Sequence, residues 1–149
     1  MPSGEGLPRR GVPTGTGRTC LVAVDDSESA VKALVWAFRH AARGDMSVEV
    51  LTVWPSHRAA FVHEVPGHFN EARWSARRAQ AAAVRRALEV VSEGSVPATR
   101  LENAEPAGAI LRASAWCDLV VLGSDPLDSS HSLTESVIAH AGCDVMVVR

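Results

Sequence analysis

Two short apolar runs near the carboxyl end of the chain constrain its fold more than any other feature. The first spans residues 119–122 between Asp118 and Gly123, and the second spans residues 145–148. Apolar runs of this length between charged or turn residues are typical of strands that are buried on both faces of a parallel sheet. A segment with a helical pattern joins them, so the two runs predict a βαβ unit. Such units bind ligands beyond the carboxyl ends of their strands, which directs the search for a site to residues 123–133.

The same alternation of apolar runs and helical patterns extends over most of the chain. Further predicted strands occupy residues 19–24, 48–54 and 96–102, and helical patterns begin near residues 27, 71 and 105. This order predicts an α/β fold with a single domain, an open twisted five-stranded parallel sheet, and helices on both faces of the sheet. Pro97 lies near the start of the third strand and is compatible with an edge position, because proline has no amide proton to pair.

The longest helical pattern, residues 71–93, carries small residues on the side that is predicted to face the sheet. That side holds Ala72, Ala76, Ala79, Ala83, Ala87 and Val90. Residues at this spacing share one face of a helix, and alanines allow the helix to lie close to the sheet. The arginines of the same helix spread over more than half of the helical circle, so they predict a solvated face rather than a nucleic-acid footprint.

Composition and charge exclude several classes of protein. With 149 residues, of which 46% are apolar, the chain is long enough and apolar enough for one domain with a buried core. No apolar run approaches the roughly 18 residues that span a bilayer. The net charge of −2 gives no general attraction to nucleic acid or to an anionic membrane, so neither is a predicted partner.

The amino-terminal segment differs in composition from the rest of the chain. It is rich in glycine and proline, and it holds no apolar stretch that would serve as a secretory signal. We therefore predict a flexible tail over residues 1–17 and one domain over residues 18–149. These features together predict a cytoplasmic protein.

Cysteines and histidines give no prediction of a metal site. The three cysteines (Cys20, Cys117 and Cys143) lie in or beside predicted strands without metal-type spacing, and they are predicted to be buried, reduced thiols. Three histidines (His57, His63 and His68) invite a metal interpretation, but their spacing does not place them on one helix face and no cysteine lies nearby. A solvated loop over residues 55–70 is the preferred interpretation.

Four segments carry a resemblance to a known family. They are Leu21-Val22-Ala23-Val24-Asp25-Asp26-Ser27, Glu105-Pro106-Ala107-Gly108-Ala109-Ile110, Cys117-Asp118-Leu119-Val120-Val121-Leu122-Gly123-Ser124, and residues 137–149. Their order and spacing resemble the universal stress protein (UspA-like) family over residues 18–149. The resemblance implies the family's Rossmann-like fold, which is similar to that of adenine nucleotide alpha hydrolase-like proteins.

The resemblance also implies a way to bind nucleotides. Family members that bind ATP carry the pattern G-x-x-G, nine residues, then G-[ST], and the glycines let backbone amides approach the phosphates at a helix amino terminus. Here Gly123 matches the first glycine, but Pro126 stands at the second glycine position. His131-Ser132 stand at the final G-[ST], and only the four residues 127–130 lie between, instead of nine. Pro126 has no amide proton to offer, and Asp125 and Asp128 would repel phosphates. We therefore predict a degenerate triphosphate site.

The base-binding side of the site matches the family better. The resemblance implies that Asp25 and Val53, which end the first two strands, flank an adenine base. The candidate nucleotide-binding residues that it implies are Asp25, Val53, Gly123, Ser124, Ser132 and Leu133. Two of these residues also have simpler interpretations. Asp25 is alternatively a turn aspartate before a helix, and Ser132 is alternatively the N-cap of the last helix with Glu135 as its capping-box partner.

The leading hypothesis is a dimeric, non-enzymatic stress-response module for interaction or signalling, with a degenerate nucleotide site and an unidentified protein partner. The alternative hypothesis is an adenine-nucleotide (ATP or AMP) binding protein with a rearranged phosphate loop. A slow ATPase ranks third, because the sequence shows no catalytic base or metal cluster. A serine hydrolase is not predicted, because His131 and its neighbouring serines form no triad by sequence proximity alone and no Gly-x-Ser-x-Gly elbow is present. The resemblance implies a homodimer through residues 145–148, an apolar edge strand that favours pairing.

Overall fold

The computed structural model describes residues 17–54, 71–92, 96–125 and 131–149. Strands and helices alternate in the order β1 (Arg18–Ala23), α1 (Glu28–Ala42), β2 (Met46–Trp54), α2 (Glu71–Val90), β3 (Ala98–Asn103), α3 (Pro106–Ala113), β4 (Leu119–Gly123), α4 (His131–His140) and β5 (Asp144–Val148). The predicted tail and the predicted histidine loop lie outside the described residues, apart from Gly17, and both stay predictions.

The strands form one parallel sheet in the order β3-β2-β1-β4-β5. Val22 lies level with Val50 of β2 on one side and with Val121 of β4 on the other. The predicted five-stranded parallel sheet is confirmed. β3 and β5 are the two edge strands, as Pro97 and the apolar run at residues 145–148 predict.

Alternate residues of the central strands supply two separate cores. On one face, Cys20, Val22 and Val50 pack among buried residues of α1 and α2. On the other face, Leu21 and Leu51 pack among buried residues of α3 and α4. Because helices cover both faces, the central strands need apolar side chains at successive positions, and this explains the continuous apolar runs in the sequence.

Local capping explains where the helices next to the site begin. Ser27 has extended backbone dihedral angles and its Oγ accepts a hydrogen bond from the Ala30 amide at 3.2 Å, so Ser27 is the N-cap of α1. Pro106 occupies the first turn of α3, where its missing amide proton leaves no hydrogen bond unmade. The Glu105 side chain caps the same helix by accepting a bond from the Gly108 amide at 2.9 Å.

The predicted inner face of α2 is partly wrong. Ala83 and Ala87 are buried as predicted, whereas Ala72 and Val90 are exposed. Gln80 is buried instead, and its Nε2 donates a hydrogen bond to the Arg100 carbonyl at 2.8 Å. The first turn of α2 is exposed, so the helix packs on the sheet only through its later turns. A hydrogen-bonded glutamine therefore takes a position that an apolar pattern would not identify.

The bounds of α3 and β3 also differ from the sequence predictions. α3 ends at Ala113 rather than near Trp116, and β3 begins at Ala98 rather than at Val96. Within the described part of the chain, no helix combines the length and the apolar character that crossing a membrane requires.

Candidate functional site

A cavity of about 130 Å3 lies at the carboxyl ends of β1, β2 and β4. The first turns of α1, α3 and α4 complete its walls. Strand order reverses direction between β1 and β4, because the chain moves from β1 to β2 and β3 on one side and later returns to place β4 on the other. This switch point is where open α/β sheets bind ligands.

The structure brings four of the six candidate residues to this cavity. Asp25, Val53, Gly123 and Leu133 all line it. Ser124 and Ser132 are not among its lining residues; Ser124 is buried and Ser132 is exposed. The placement agrees with a shared site for the four residues, while the binding role of all six stays a prediction.

Asp25 lies at the mouth of the cavity and also holds the turn into α1. Its Oδ1 accepts hydrogen bonds from the Ser27 amide at 2.9 Å and from the Ser27 hydroxyl at 2.5 Å. The Ser27 hydroxyl lies 3.0 Å from the Ser29 hydroxyl, and both serines line the cavity. The turn interpretation of Asp25 therefore holds, and it is compatible with a ligand contact because the carboxylate is exposed.

Gly123 is required by the packing of α1 on β4. A Cβ atom at this position would lie 2.1 Å from the Ser29 carbonyl oxygen and 2.5 Å from its carbon, far inside contact distance. The backbone of the first turn of α1 thus approaches β4 at a point where only glycine leaves enough room. This packing accounts for the glycine without any contact to a phosphate.

The backbone amide of Ser124 is hydrogen-bonded within the sheet. Its amide donates a hydrogen bond of 2.8 Å to the Val148 carbonyl, which extends the pairing of β4 with β5 beyond Gly123. Its side chain is buried as well. The first amide after the glycine is therefore used within the protein, and the next residue, Asp125, is exposed and acidic.

The start of α4 corrects one alternative interpretation. Ser132 is the second residue of α4, so it is not the N-cap, because an N-cap precedes the first helical residue. Leu133 is half-buried against the core under α3 and α4, and Thr134 beside it is buried and also lines the cavity.

Several lining residues were missed by the sequence analysis. Pro106 and Ile110 lie one helical turn apart on α3 and face the cavity together with Thr134. The segment Glu105–Ile110 signalled the start of a helix but not its position over β1 and β2. The sequence analysis did not identify Ser27 and Ser29 as lining residues either.

The walls suit a flat, largely apolar ligand with polar groups on one side. Val53, Leu51 and Ile110 give apolar contacts, while Ser27 and the Asp25 carboxylate give hydrogen-bonding groups at the α1 side. Asp25 is the titratable residue among the described lining residues, so these contain no acid–base pair. No group of three or more metal-ligating side chains occurs in the described ranges.

Comparison with known proteins agrees with the fold. The sequence model of the Universal stress protein family matches residues 17–149. A Staphylococcus haemolyticus protein named as a universal stress protein is 28% identical over 144 residues, covering 90% of this chain and 86% of its own length.

Solved structures of similar proteins share the architecture. Universal stress protein UspA from Lactobacillus plantarum has a TM-score of 0.62 and 27% identity, covering 91% of this chain and all of its own. A universal stress protein from Archaeoglobus fulgidus in complex with dAMP has a TM-score of 0.66 and 22% identity, covering 89% of this chain and 98% of its own. At that identity the second likeness concerns the fold alone.

Proposed function

The chain belongs to the universal stress protein family, and from this membership we propose that it is a non-enzymatic, cytoplasmic, dimeric module for stress-response interaction or signalling. Its nucleotide site is degenerate at the phosphate end. The observation that carries the proposal is the hydrogen bond from the Ser124 amide to the Val148 carbonyl at 2.8 Å. This bond withholds from a ligand the first backbone donor after Gly123.

Two further features support a degenerate phosphate end. The Ser29 backbone occupies the space where a side chain at position 123 would lie, so the glycine allows α1 to pack against β4. Asp125 places a negative charge next to the position where phosphates would lie, and Pro126 follows it in the sequence. A carboxylate near a polyphosphate is repulsive, and proline offers no amide.

A second candidate function is supported by the base end of the cavity. Asp25, Val53 and Leu133 line one cavity at the switch point, where an adenine base has apolar walls and a polar edge. The cavity is smaller than the roughly 300–1,000 Å3 that enclose drug-sized ligands, which favours a base held inside with its sugar and phosphate outside. The family member from Archaeoglobus fulgidus was solved in complex with dAMP, a nucleotide with a single phosphate. A nucleoside monophosphate such as AMP is therefore the ligand of this second candidate.

Nucleotide affinity separates the two candidates. If the phosphate end is degenerate, ATP binds no more tightly than AMP in isothermal titration calorimetry, because the added phosphates gain no amide contacts and face Asp125. If the base end is competent, AMP binds and the Asp25→Ala variant weakens it by about tenfold, as expected for loss of one charged hydrogen-bonding group.

Asp26→Ala is the matched control, because Asp26 is exposed and adjacent but is not among the cavity-lining residues. Melting temperatures accompany both variants, since Asp25 also holds the turn to Ser27. Micromolar ATP binding that exceeds AMP binding and disappears in Asp25→Ala would refute the degenerate site. Absence of AMP binding would remove the second candidate and leave the interaction module.

The proposed dimer rests on the properties of β5. It is the last strand in the sheet order, and Met146 in its middle is 36% exposed. Ile138 on the neighbouring α4 is also exposed. An apolar edge strand tends to pair with another strand, and a second copy of the same strand satisfies it by two-fold symmetry.

Introducing a charge into the apolar edge strand tests this dimer. We expect Met146→Lys to raise the dimer dissociation constant by about 100-fold, because the contact would have to bury an ammonium group. Analytical ultracentrifugation over a concentration series measures the change. Val96→Lys is the control, since Val96 is 83% exposed near the start of the opposite edge strand. A lysine ammonium group at this position stays in water. A dimer that Met146→Lys leaves intact would place the interface elsewhere.

A further inference from the structure

Two cysteines meet at the end of the sheet opposite the cavity. Cys117 lies two residues before β4, and Cys143 lies immediately before β5. Their sulfur atoms are 3.8 Å apart. Both are free thiols in this structure. Residues 117 and 143 therefore bring two thiols into contact across the starts of neighbouring strands, although 25 other residues separate them in the chain.

The backbone positions suit a covalent link between these two residues. Leu119 is paired with Asp144, and the same register continued backwards sets Asp118 level with Cys143. Cys117 then lies on the neighbouring strand, one residue before the position that is level with Cys143. With a strand spacing of about 4.8 Å and a rise of about 3.3 Å per residue, the two Cα atoms are about 6 Å apart. This distance lies in the range that disulfides span without backbone movement.

The surroundings decide which thiol is accessible and how reactive it is. Cys117 is buried, whereas Cys143 is half-buried and reaches solvent. Burial raises the pKa of the Cys117 thiol, and the neighbouring Cys143 adds to the effect. Burial also raises the pKa of the Cys143 thiol; the hydrogen bond with Cys117 lowers it, and the Asp144 and Asp118 carboxylates raise it, so the net direction is upward. Both thiols are therefore protonated at neutral pH, and the pair is inert until oxidant is abundant.

Cys20 is near the pair but is a different kind of thiol. It is fully buried in the middle of β1, and burial together with Cys143 raises its pKa to about 12. Its side chain packs in the core under α1 and α2, whereas Cys117 and Cys143 pack in the core under α3 and α4. Cys20 is thus separated from the pair by the sheet itself.

We propose that Cys117 and Cys143 form an oxidation site that peroxide converts to an intramolecular disulfide. The Cys143 thiolate attacks one peroxide oxygen, which gives a sulfenic acid and releases the other oxygen as water after protonation. The Cys117 thiolate then attacks the sulfenic sulfur and displaces the hydroxyl group as a second water. Two thiols and one hydrogen peroxide thus yield one disulfide and two waters.

The disulfide would enclose residues 117–143, which include β4 and α4. This segment contributes Gly123, Leu133 and Thr134 to the cavity and leads directly into β5. Closing a loop of this length restricts the unfolded chain, so we expect the melting temperature to rise by about 5 °C on oxidation. The inference does not depend on nucleotide binding or on the dimer.

Trypsin separates the possible products of this reaction cleanly. The chain has no lysine or arginine between Arg112 and Arg149, so both members of the pair fall in one peptide, residues 113–149. Cys20 falls in another peptide, residues 19–32. After hydrogen peroxide treatment and acidic trapping of free thiols, we expect peptide 113–149 to lose two hydrogen atoms and to carry no trapping group.

Three variants of the full chain complete the experiment. Cys20→Ala should oxidise as the original protein does, whereas Cys143→Ser and Cys117→Ala should lose both the mass change and the rise in melting temperature. Because the reacting thiol has a raised pKa, the rate should increase about tenfold for each pH unit from about pH 7 to about pH 9. The inference is overturned if Cys143 accumulates sulfinic acid without a disulfide, if Cys20 is linked to either cysteine, or if Cys143 joins two chains.

Discussion

Gly123→Ala is expected to lower the free energy of unfolding by about 3 kcal/mol, at the upper end of the usual range for overpacking. The added methyl group would lie 2.1 Å from the Ser29 carbonyl oxygen, and its neighbours there are backbone atoms. Backbone cannot rotate away as a long side chain can, so α1 must move off the end of β4. Urea denaturation followed by circular dichroism measures the loss as a lower midpoint at an unchanged slope.

Gly108→Ala is the matched control for this variant. A Cβ atom at Gly108 would lie 3.4 Å from Glu105 Oε1 and 3.5 Å from the Arg112 guanidinium, which are ordinary contacts with mobile side chains. The residue lies inside α3, where alanine is preferred over glycine. We expect Gly108→Ala to raise stability by about 0.5–1 kcal/mol. If both glycines tolerated alanine equally, the close approach of Ser29 to β4 would be wrong.

The main features of the fold could be predicted from the sequence because the physical signals are local. A strand covered on both faces requires apolar residues at successive positions, and the two central strands β1 and β4 display such runs. Helix starts were visible in Ser27 and Pro106, whose capping chemistry does not depend on distant residues. The orientation of α2 was less predictable, because Gln80 is buried through one hydrogen bond to Arg100 on another element.

The candidate site was likewise predictable from the sequence only in part. Asp25 follows the end of β1 and Val53 is the penultimate residue of β2. The carboxyl ends of parallel strands meet at one edge of the sheet, so the convergence of the two residues follows from the chain order. The commitment of the Ser124 amide to Val148 depends on the register between β4 and β5, and no local pattern displays that register. The resemblance to the family named Ser124 as a ligand contact, whereas the structure gives its amide a partner within the sheet.

The same limit applies to the cysteines. Their number and spacing predicted buried, reduced thiols; Cys20 and Cys117 are buried, whereas Cys143 is only half-buried. The contact between Cys117 and Cys143 arises because β4 and β5 are neighbours in space and their starts are level. Sequence spacing alone contains no information about this neighbourhood.

A charged residue within the sheet leads to the second large prediction. Glu49 lies in β2 facing α3, and its side chain is only 4% exposed. Arg100 on the neighbouring β3 places a guanidinium nitrogen 3.8 Å from the Glu49 carboxylate, and it also stacks over the Trp116 ring at 4.9 Å. Arg100 therefore supplies a positive charge to a carboxylate that water scarcely reaches.

Arg100→Met is expected to lower the free energy of unfolding by about 3 kcal/mol, because it leaves the buried Glu49 carboxylate without this countercharge. Arg112→Met is the control: Arg112 contacts Glu102 at only 2.9 Å, but its side chain is 62% exposed, so water screens the pair. We expect that variant to lose less than about 1 kcal/mol. Burial rather than distance thus decides which ion pair matters, and urea denaturation of both variants measures the difference.

The double variant Glu49→Leu/Arg100→Met separates the pair from the packing around it. Removing both charges also removes the buried carboxylate that loses its Arg100 countercharge in Arg100→Met, so the double variant should be more stable than Arg100→Met alone by about 2 kcal/mol. If the double variant were less stable than Arg100→Met, the loss would come from the contact of Arg100 with Trp116 and from cavity formation. The electrostatic account of Glu49 would then be wrong.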